Sequence, residues 1–223
     1  SYLDEGDVIV RRELPAIVSS VIPFAPATPV AIFFAAAGVD SRLLDEVRAA
    51  ERLRLRPLND DDEALYHDLY TDPETMRFIA PPLSAEKAAS SFRKVVALQH
   101  EPTLASRFMV IEEKAEQKGL GICGTSTFDA DTRRVEVGIV LKSEGRSRGI
   151  GSEALPALMN RIFAVSLVQE IYLRFSAQHS VMLRLNTRVG FMPCADGAQE
   201  EGVLSKRVWS VHRSSWLVNQ TTN

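Results

Sequence analysis

Residues 144–152 read Glu144-Gly-Arg-Ser-Arg-Gly-Ile-Gly-Ser152 and lie between an apolar run at 135–141 and a run with helical periodicity at 155–163. This order predicts a strand, a glycine-containing loop and a helix. Glycine lets the backbone approach a ligand closely, and the first amides of a helix carry the positive end of its dipole. The stretch therefore predicts an anion-binding loop, most often for phosphate, with a plain strand-to-helix connection as the alternative.

Two arginines of this stretch, Arg146 and Arg148, flank the loop. A guanidinium matches the geometry of phosphate oxygens, so both side chains are candidates for direct contact with the anion. The sequence contains no GxxxxGK[ST] pattern to supply the lysine and the magnesium ligand of a phosphoryl-transfer site. A nucleotide site of that kind is therefore disfavoured.

The composition of the 223 residues is ordinary for a globular protein, with 45% hydrophobic and 25% charged residues. A formal net charge of -3 gives no overall basic field for nucleic acid. Two cysteines are too few for a disulfide scaffold and fit a cytoplasmic protein, and the four histidines are scattered without metal-ligand spacing. We expect no metal site and no nucleic-acid or membrane partner.

The first fifty residues differ from the rest of the chain. Residues 14–39 carry no charge, but four prolines interrupt them and leave only 30–39 uninterrupted, too short to span a bilayer. We interpret residues 1–50 as an apolar, proline-containing extension or the remnant of an upstream domain, with a short helix at 41–50. An uncharged apolar segment is sticky when free, so we expect 14–39 to pack on the main domain, on a second copy in a homodimer, or on an upstream domain.

From Arg52 the hydrophobic pattern is regular and predicts mixed α/β structure with a largely antiparallel first half. The alternating segment 52–57 predicts a half-buried strand whose arginines form a solvated face. Pro156 predicts a late start or a kink in the helix after the loop. The predicted order is β-α-α-β-β-β-α-β-α-β-β, with strands at 52–57, 107–111, 120–128, 135–141, 170–176, 191–195 and 207–217, and helices after Asn59–Asp62, after Ser84, through 155–163 and at 179–188.

The chain resembles the GNAT acyltransferases over residues 52 to 217. Arg146-Ser-Arg-Gly-Ile-Gly151 matches their R/Q-x-x-G-x-G/A motif, and the order of elements is similar to theirs. More narrowly, several segments resemble the RimJ/RimL-type subgroup of ribosomal-protein N-terminal acetyltransferases: Asp72-Pro-Glu-Thr-Met-Arg-Phe-Ile79, Pro82-Leu-Ser-Ala-Glu86, Val135-Glu-Val-Gly138, Gly151-Ser-Glu-Ala-Leu155 and Val189-Gly-Phe191.

The resemblance implies a GNAT fold at residues 51–218, followed by a tail at 219–223. Its mixed, mostly antiparallel central sheet would be splayed at the cofactor cleft, with helices on both faces. The implied cofactor is acetyl-CoA, with its pyrophosphate on the amides of the loop and its pantetheine arm paired to the strand before it. The residues implied to contact it are Val140, Leu141, Arg146, Ser147, Arg148, Gly149, Ile150, Gly151, Ser152 and His179.

The implied reaction is direct acetyl transfer to an amine, which requires positioning, a donor to the oxyanion and removal of a proton. Glu136 is the candidate base, acting through water, with a salt bridge to a neighbouring strand as its alternative role. The family usually has asparagine where His179 stands and serine where Met182 stands. Methionine donates no hydrogen bond, so Ser180 is the candidate donor to the leaving thiolate, with Tyr172 or water as alternatives.

The basicity of the amine narrows the class of molecule that can accept the acetyl group. Neutralising an α-amine with a pKa of about 7.8 costs about 1 kcal/mol at pH 7, whereas a lysine amine with a pKa of about 10.4 costs about 4.6 kcal/mol. We therefore expect transfer to the α-amine of a protein N-terminus or of a small molecule such as an aminoacyl metabolite or toxin. The alternative is a catalytically weak acetyl-CoA-binding sensor, or an appendage domain of a larger enzyme.

Overall fold

The computed structural model describes residues 52–100, 107–164, 167–199 and 206–222. The sequence predictions for residues 1–50, including the helix at 41–50 and the packing of 14–39, lie outside the described residues. Across the described ranges, no helix combines the length and the apolar character that a membrane crossing requires.

A single mixed sheet of seven strands forms the centre of the described structure. All neighbouring strands are antiparallel except the fourth and the fifth, which are parallel. The strands are β1 (Leu53–Pro57), β2 (Phe108–Glu113), β3 (Lys118–Asp129), β4 (Arg134–Leu141), β5 (Glu170–Ser176), β6 (Met192–Gln199) and β7 (Lys206–His212), in the order β1-β2-β3-β4-β5-β7-β6.

The two parallel strands separate soon after they meet. β4 and β5 pair only from Arg134 opposite Glu170 to Glu136 opposite Tyr172. Beyond that point β4 continues to pair with β3, while β5 continues to pair with β7. The sheet therefore opens into a V between β4 and β5, which confirms the splayed sheet that the sequence predicts.

Helices cover both faces of the sheet, as predicted. Those described are α1 (Glu63–Thr71), α2 (Pro73–Met76), α3 (Ala85–Gln99), α4 (Ile150–Ala164), α5 (Ser180–Val189) and α6 (Arg213–Thr222). On one face, side chains of α4 such as Leu155 and Met159 pack against Val135 and Val137 of β4. On the other face, α1 and α3 pack against β2 and β3, and Val140 of β4 joins that cluster.

The helix ends follow the capping residues that the sequence predicts. The Asn59 side chain caps the 3-10 turn Asp60–Asp62, which leads into α1, by accepting a hydrogen bond from the Asp61 amide at 3.1 Å. The Ser84 hydroxyl caps α3 by accepting one from the Lys87 amide at 3.3 Å. Gly190 ends α5 in the left-handed region, with a φ of 97°. α4 begins at Ile150 and continues through Pro156, so the predicted late start is wrong.

The C-terminal prediction is wrong beyond His212. The strand ends there, and α6 replaces the predicted strand at 213–217. Trp216 supplies the reason, because its indole Nε1 donates to Asn160 Oδ1 at 2.7 Å and its ring lies 6.3 Å from that of Phe163. Tertiary packing against α4 thus overrides the local preference for extended structure.

The predicted solvated arginine face of β1 is also wrong for Arg56. Its guanidinium donates to both carboxylate oxygens of Asp62, at 2.8 and 2.7 Å, and to Glu112 at 2.7 Å. Asp62 and Glu112 are almost fully buried, with 5% and 4% of their surface exposed. Burial alone would raise the pKa of Glu112, but hydrogen bonds from Arg56 and Arg54 outweigh it and hold that pKa below its usual value.

We predict that Arg56→Met lowers the free energy of unfolding at pH 7 by about 3 kcal/mol, because it leaves two buried carboxylates without their shared cation. The matched change Arg54→Gln, at a side chain that is 52% exposed, should cost less than about 1 kcal/mol. Urea denaturation measures the free energy of unfolding of both variants.

The pH dependence of the same variant provides a further check. The depressed pKa of Glu112 means that its stabilising contribution exists above the unfolded-state pKa and disappears as the pH falls through the folded-state pKa. The Arg56→Met deficit should therefore shrink below about pH 4, where protonation removes the charge of Glu112 that has lost Arg56. A deficit that is equal at pH 7 and pH 3 would contradict the electrostatic explanation.

Candidate active site

The opening of the V exposes one edge of β4. Within the described sheet, residues 137–141 pair with β3 on one side and with no strand on the other. A free strand edge presents amide and carbonyl groups that can pair an extended ligand. Gly138 adds room at this edge, because a Cβ built there would have, apart from its chain neighbours, no atom of the described residues within 4 Å. The predicted cofactor residues Val140 and Leu141 both lie on this edge.

The loop after β4 turns sharply before α4 begins. Ser147 and Gly149 have positive φ values of 57° and 78°. The first hydrogen bond inside α4 runs from the Glu153 amide to the Gly149 carbonyl at 3.2 Å. The amides of residues 150–152 precede it and, as in any helix, have no acceptor within the helix. The predicted anion-binding loop therefore has the conformation that its sequence indicates, and phosphate binding there is still a prediction.

Gly151 has a packing role that the motif alone does not reveal. A Cβ at this position would lie 3.2 Å from Leu185 Cδ2, closer than side chains normally approach. The glycine therefore lets α5 approach the first turn of α4. This contact places the middle of α5 beside the first turn of α4.

Arg52 holds the loop from outside the motif. Its Nε donates to Glu153 Oε2 at 3.2 Å, its Nη2 is paired with Glu153 Oε1, and the same Nη2 donates to the Arg148 carbonyl at 3.1 Å. These contacts fix the first turn of α4 to residue 52 at the start of β1. Sequence reasoning missed this residue, because nothing in the local pattern links two charges 101 positions apart.

The loop arginines have protein partners. Arg148 Nη2 donates to Glu113 Oε1 at 2.7 Å. Arg146 donates to the Leu141 carbonyl from Nε at 3.2 Å and from Nη2 at 3.1 Å, and its Nη2 also donates to Thr75 Oγ1 at 2.7 Å. Direct contact of either guanidinium with phosphate stays a prediction. The observed role of Arg146 is to connect the end of β4 with α2.

Thr75, the partner of Arg146, is itself hydrogen-bonded to Asp72 at the start of α2. Thr75 Oγ1 donates to Asp72 Oδ2 at 2.5 Å, and that carboxylate caps α2 by accepting from the Thr75 amide at 2.9 Å. These hydrogen bonds, together with the nearby charge of Arg146, hold the pKa of Asp72 below its usual value. A continuous polar chain therefore runs from the loop to Asp72, and sequence reasoning missed it.

His179 acts as the N-cap of α5. Its Nδ1 accepts from the Met182 amide at 3.4 Å, and its ring centroid lies 4.6 Å from that of Phe78. Burial and, secondarily, the positive charge of Arg146 lower the pKa of His179. The neutral imidazole that results near pH 7 is the form that can accept the capping hydrogen bond. Contact of His179 with a cofactor stays a prediction.

Glu136 lies at the point where the strands separate. Both of its oxygens accept from Arg174, from Nε and from Nη2, each at 2.8 Å. The alternative role that the sequence leaves open, a salt bridge to a neighbouring strand, is therefore present, and the role as base stays a prediction. Burial and then the negative charge of Glu136 raise the pKa of Tyr172, which keeps that hydroxyl protonated and able to donate.

The remaining candidates occupy different surroundings. Ser180 is the exposed first residue of α5, and Met182 packs against the core. Asn186, further along α5, is fully buried, and its side-chain oxygen and nitrogen have no hydrogen-bond partner in the described part of the chain. Sequence reasoning gave no signal for Asn186, because asparagine within a helix is usually solvent-exposed.

Comparison with known proteins agrees with this architecture. Residues 52–192, more than half of the chain, match the family described as the acetyltransferase (GNAT) domain. A curated relative, the uncharacterized N-acetyltransferase p20 of Bacillus licheniformis, is 25% identical over 161 residues, which cover 71% of this chain and 85% of the relative.

Solved structures show the same fold. The spermidine N-acetyltransferase of Vibrio cholerae, in complex with CoA and spermine, aligns with a TM-score of 0.65 at 18% identity over 75% of this chain and 99% of that chain. RimL, a ribosomal L7/L12 alpha-N-protein acetyltransferase in complex with coenzyme A, aligns with a TM-score of 0.63 at 13% identity over 72% of this chain and 94% of that chain. The chain therefore belongs to the GNAT family of acetyltransferases, and its enzyme class is N-acetyl transfer from acetyl-CoA.

Proposed function

We propose that the protein acetylates the α-amine of a small molecule or of a protein N-terminus by direct transfer within the V between β4 and β5. The observation that carries this proposal is the unbroken run of residues 137–152, which joins an open strand edge, a loop with positive φ values and a helix start. Each part suits one portion of acetyl-CoA, whose thioester supplies an activated acetyl group.

The donor would bind along this run. The amides of residues 147–152 face the pyrophosphate, where the helix dipole of α4 favours negative charge. The register with β3 turns the backbone groups of Ile139 and Leu141 toward the free edge. Ile139 pairs the amides of the pantetheine arm, while the Leu141 carbonyl remains bonded to Arg146. The contacts of Arg52 with Glu153 and with the Arg148 carbonyl hold the loop in place, so little ordering is needed when the donor binds.

Side chains at the apex of the V would remove the amine proton and protonate the leaving thiolate. Glu136, directly or through water, removes the amine proton. Tyr172, the partner of Glu136 across the strands, keeps its hydroxyl proton and is a candidate donor to the leaving thiolate. Ser180, at the start of α5, is the second candidate donor. These roles need only modest acid–base power if the acceptor is an α-amine.

The first experiment measures acetyl-CoA-dependent thiol release against amino acids, N-terminal peptides, aminoacyl nucleotides and polyamines. We expect α-amines to be acetylated, with the product identified by a mass increase of one acetyl group. Calorimetry with acetyl-CoA alone gives the control. Binding of acetyl-CoA without transfer to any amine would instead support the sensor interpretation.

A bulky residue at Gly138 should block the cleft without harming the fold. Apart from the chain neighbours, no atom in the described part of the chain lies within 4 Å of the added Cβ, and valine suits a strand. Gly138→Val should therefore change the free energy of unfolding by less than about 0.5 kcal/mol. We expect kcat/KM to fall at least about tenfold, since one misplaced group in a reaction cleft has effects of this size. Ser126→Val, at an exposed position of β3, is the control and should retain wild-type kcat/KM.

The hydroxyl of Thr75 provides a test of the chain from the loop to Asp72. Thr75→Val removes a hydrogen bond from Arg146 and one to Asp72, and we expect KM for acetyl-CoA to rise about tenfold, the equivalent of about 1.4 kcal/mol. Thr75→Ser keeps the hydroxyl and should restore the wild-type KM. If valine and serine have the same effect, the hydrogen bonds do not matter for donor binding.

A further inference from the structure

The ion pair between Arg174 and Glu136 lies across the apex of the V. Glu136 is the last residue of β4 that pairs with β5, and its partner there is Tyr172. Arg174 is two residues further along β5, so its side chain projects from the same face where β4 has already moved away. The two hydrogen bonds of 2.8 Å therefore join the strands at the point where the opening begins.

Among the described residues, no hydrophobic cluster covers this face of the sheet at β5 and β7. The core cluster beneath α1 and α3 contains side chains of β2, β3 and β4, and none from β5 or β7 among the described residues. The neighbours of Arg174 on the same face, Tyr172, Val208 and Ser210, are all partly exposed. The Arg174 side chain is 40% exposed and that of Glu136 is 12% exposed. A small ligand can therefore reach the guanidinium from the open face.

A second ion pair on this face provides a comparison. Arg134 and Glu170 are paired at 2.9 Å, at the closed end of the strand pair, and the Arg134 guanidinium lies 4.9 Å from the centre of the Tyr172 ring. Each of the two carboxylates thus already has an arginine partner. An acceptor with several cationic groups would require carboxylates in excess. An acceptor with one cationic and one anionic group could exchange partners with an existing pair without leaving a charge unpaired.

We propose that Arg174 binds a carboxylate of the acceptor itself, so that the acceptor is a small amine of the α-amino-acid class. This inference rests on the proposed acetyl transfer. The planar guanidinium offers two parallel N–H donors, the geometry that a carboxylate matches. In the structure Glu136 occupies both donors, and the acceptor carboxylate would take its place.

The exchange gives Glu136 its proton-accepting role. Once released from Arg174, its carboxylate oxygen accepts one proton from the acceptor ammonium and leaves a neutral amine. The nitrogen lone pair then forms the new N–C bond to the acetyl carbon, and the C–S bond of the thioester breaks. The second amine proton goes to the departing thiolate, so the products are the N-acetylated amino acid and the free thiol, with the first proton on Glu136.

The experiment compares each of the common α-amino acids with its α-amide. The amide has the less basic amine, so amine basicity alone would favour the amide. We expect at least one amino acid to have a kcat/KM about 100-fold above that of its amide, the size expected for two hydrogen bonds to a charged group. Arg174→Gln should remove this difference, mainly through KM for the amino acid. Arg134→Gln, the matched change in the other ion pair, should preserve the preference.

The outcomes separate this inference from the proposed function. If acetyl-CoA fails to bind in calorimetry, both are wrong. If acetyl-CoA binds and peptides or amides are acetylated at least as well as the amino acids, only the assignment of Arg174 is overturned. The same holds if Arg174→Gln leaves the ratio of amino acid to amide unchanged. If polyamines are the preferred acceptors, the assignment of an α-amine acceptor is overturned as well. If acetyl-CoA binds and no amine in the panel is acetylated, the α-amino-acid class is excluded as well.

Discussion

The structure depends on the parting of two parallel strands. β4 and β5 share three residue pairs, after which each remains bound to its other neighbour. A sheet interior normally satisfies its backbone groups on both sides, and an exposed edge must find water or a ligand instead. The V therefore leaves backbone groups of β4 without a strand partner in the middle of the described sheet. Loop, helix start and ion pairs are all arranged around that opening.

Long-range polar contacts hold the parts around the opening in position. Arg52 fixes the first turn of α4 to the start of β1, and Arg146 joins the end of β4 to α2 through Thr75. Each contact lies beside the loop after β4, where the chain turns sharply. Charged hydrogen bonds thus add to the hydrophobic packing that positions the candidate site.

The sequence predicted correctly those elements that depend on interactions between residues close together in the chain. Alternation located the strands, and the glycines of the Arg146–Gly151 motif located the loop before α4. What the sequence did not reveal are contacts between distant positions, such as Arg52 with Glu153 or Arg56 with Glu112, because no periodicity links residues on separate elements. The start of α6 was missed for a related reason, since only the burial of Trp216 against α4 distinguishes helix from strand there.

Asn186 shows what this fold can tolerate. An amide buried without partners, as it is within the described residues, costs about 1–3 kcal/mol, a sizeable part of the about 5–15 kcal/mol by which a domain is stable. The packing of the rest of the core must offset this cost. An apolar residue at this position would therefore raise the free energy of unfolding. The domain could then tolerate other, destabilising changes near the cleft. In this way a single core position can set how large a destabilising change near the cleft the domain tolerates.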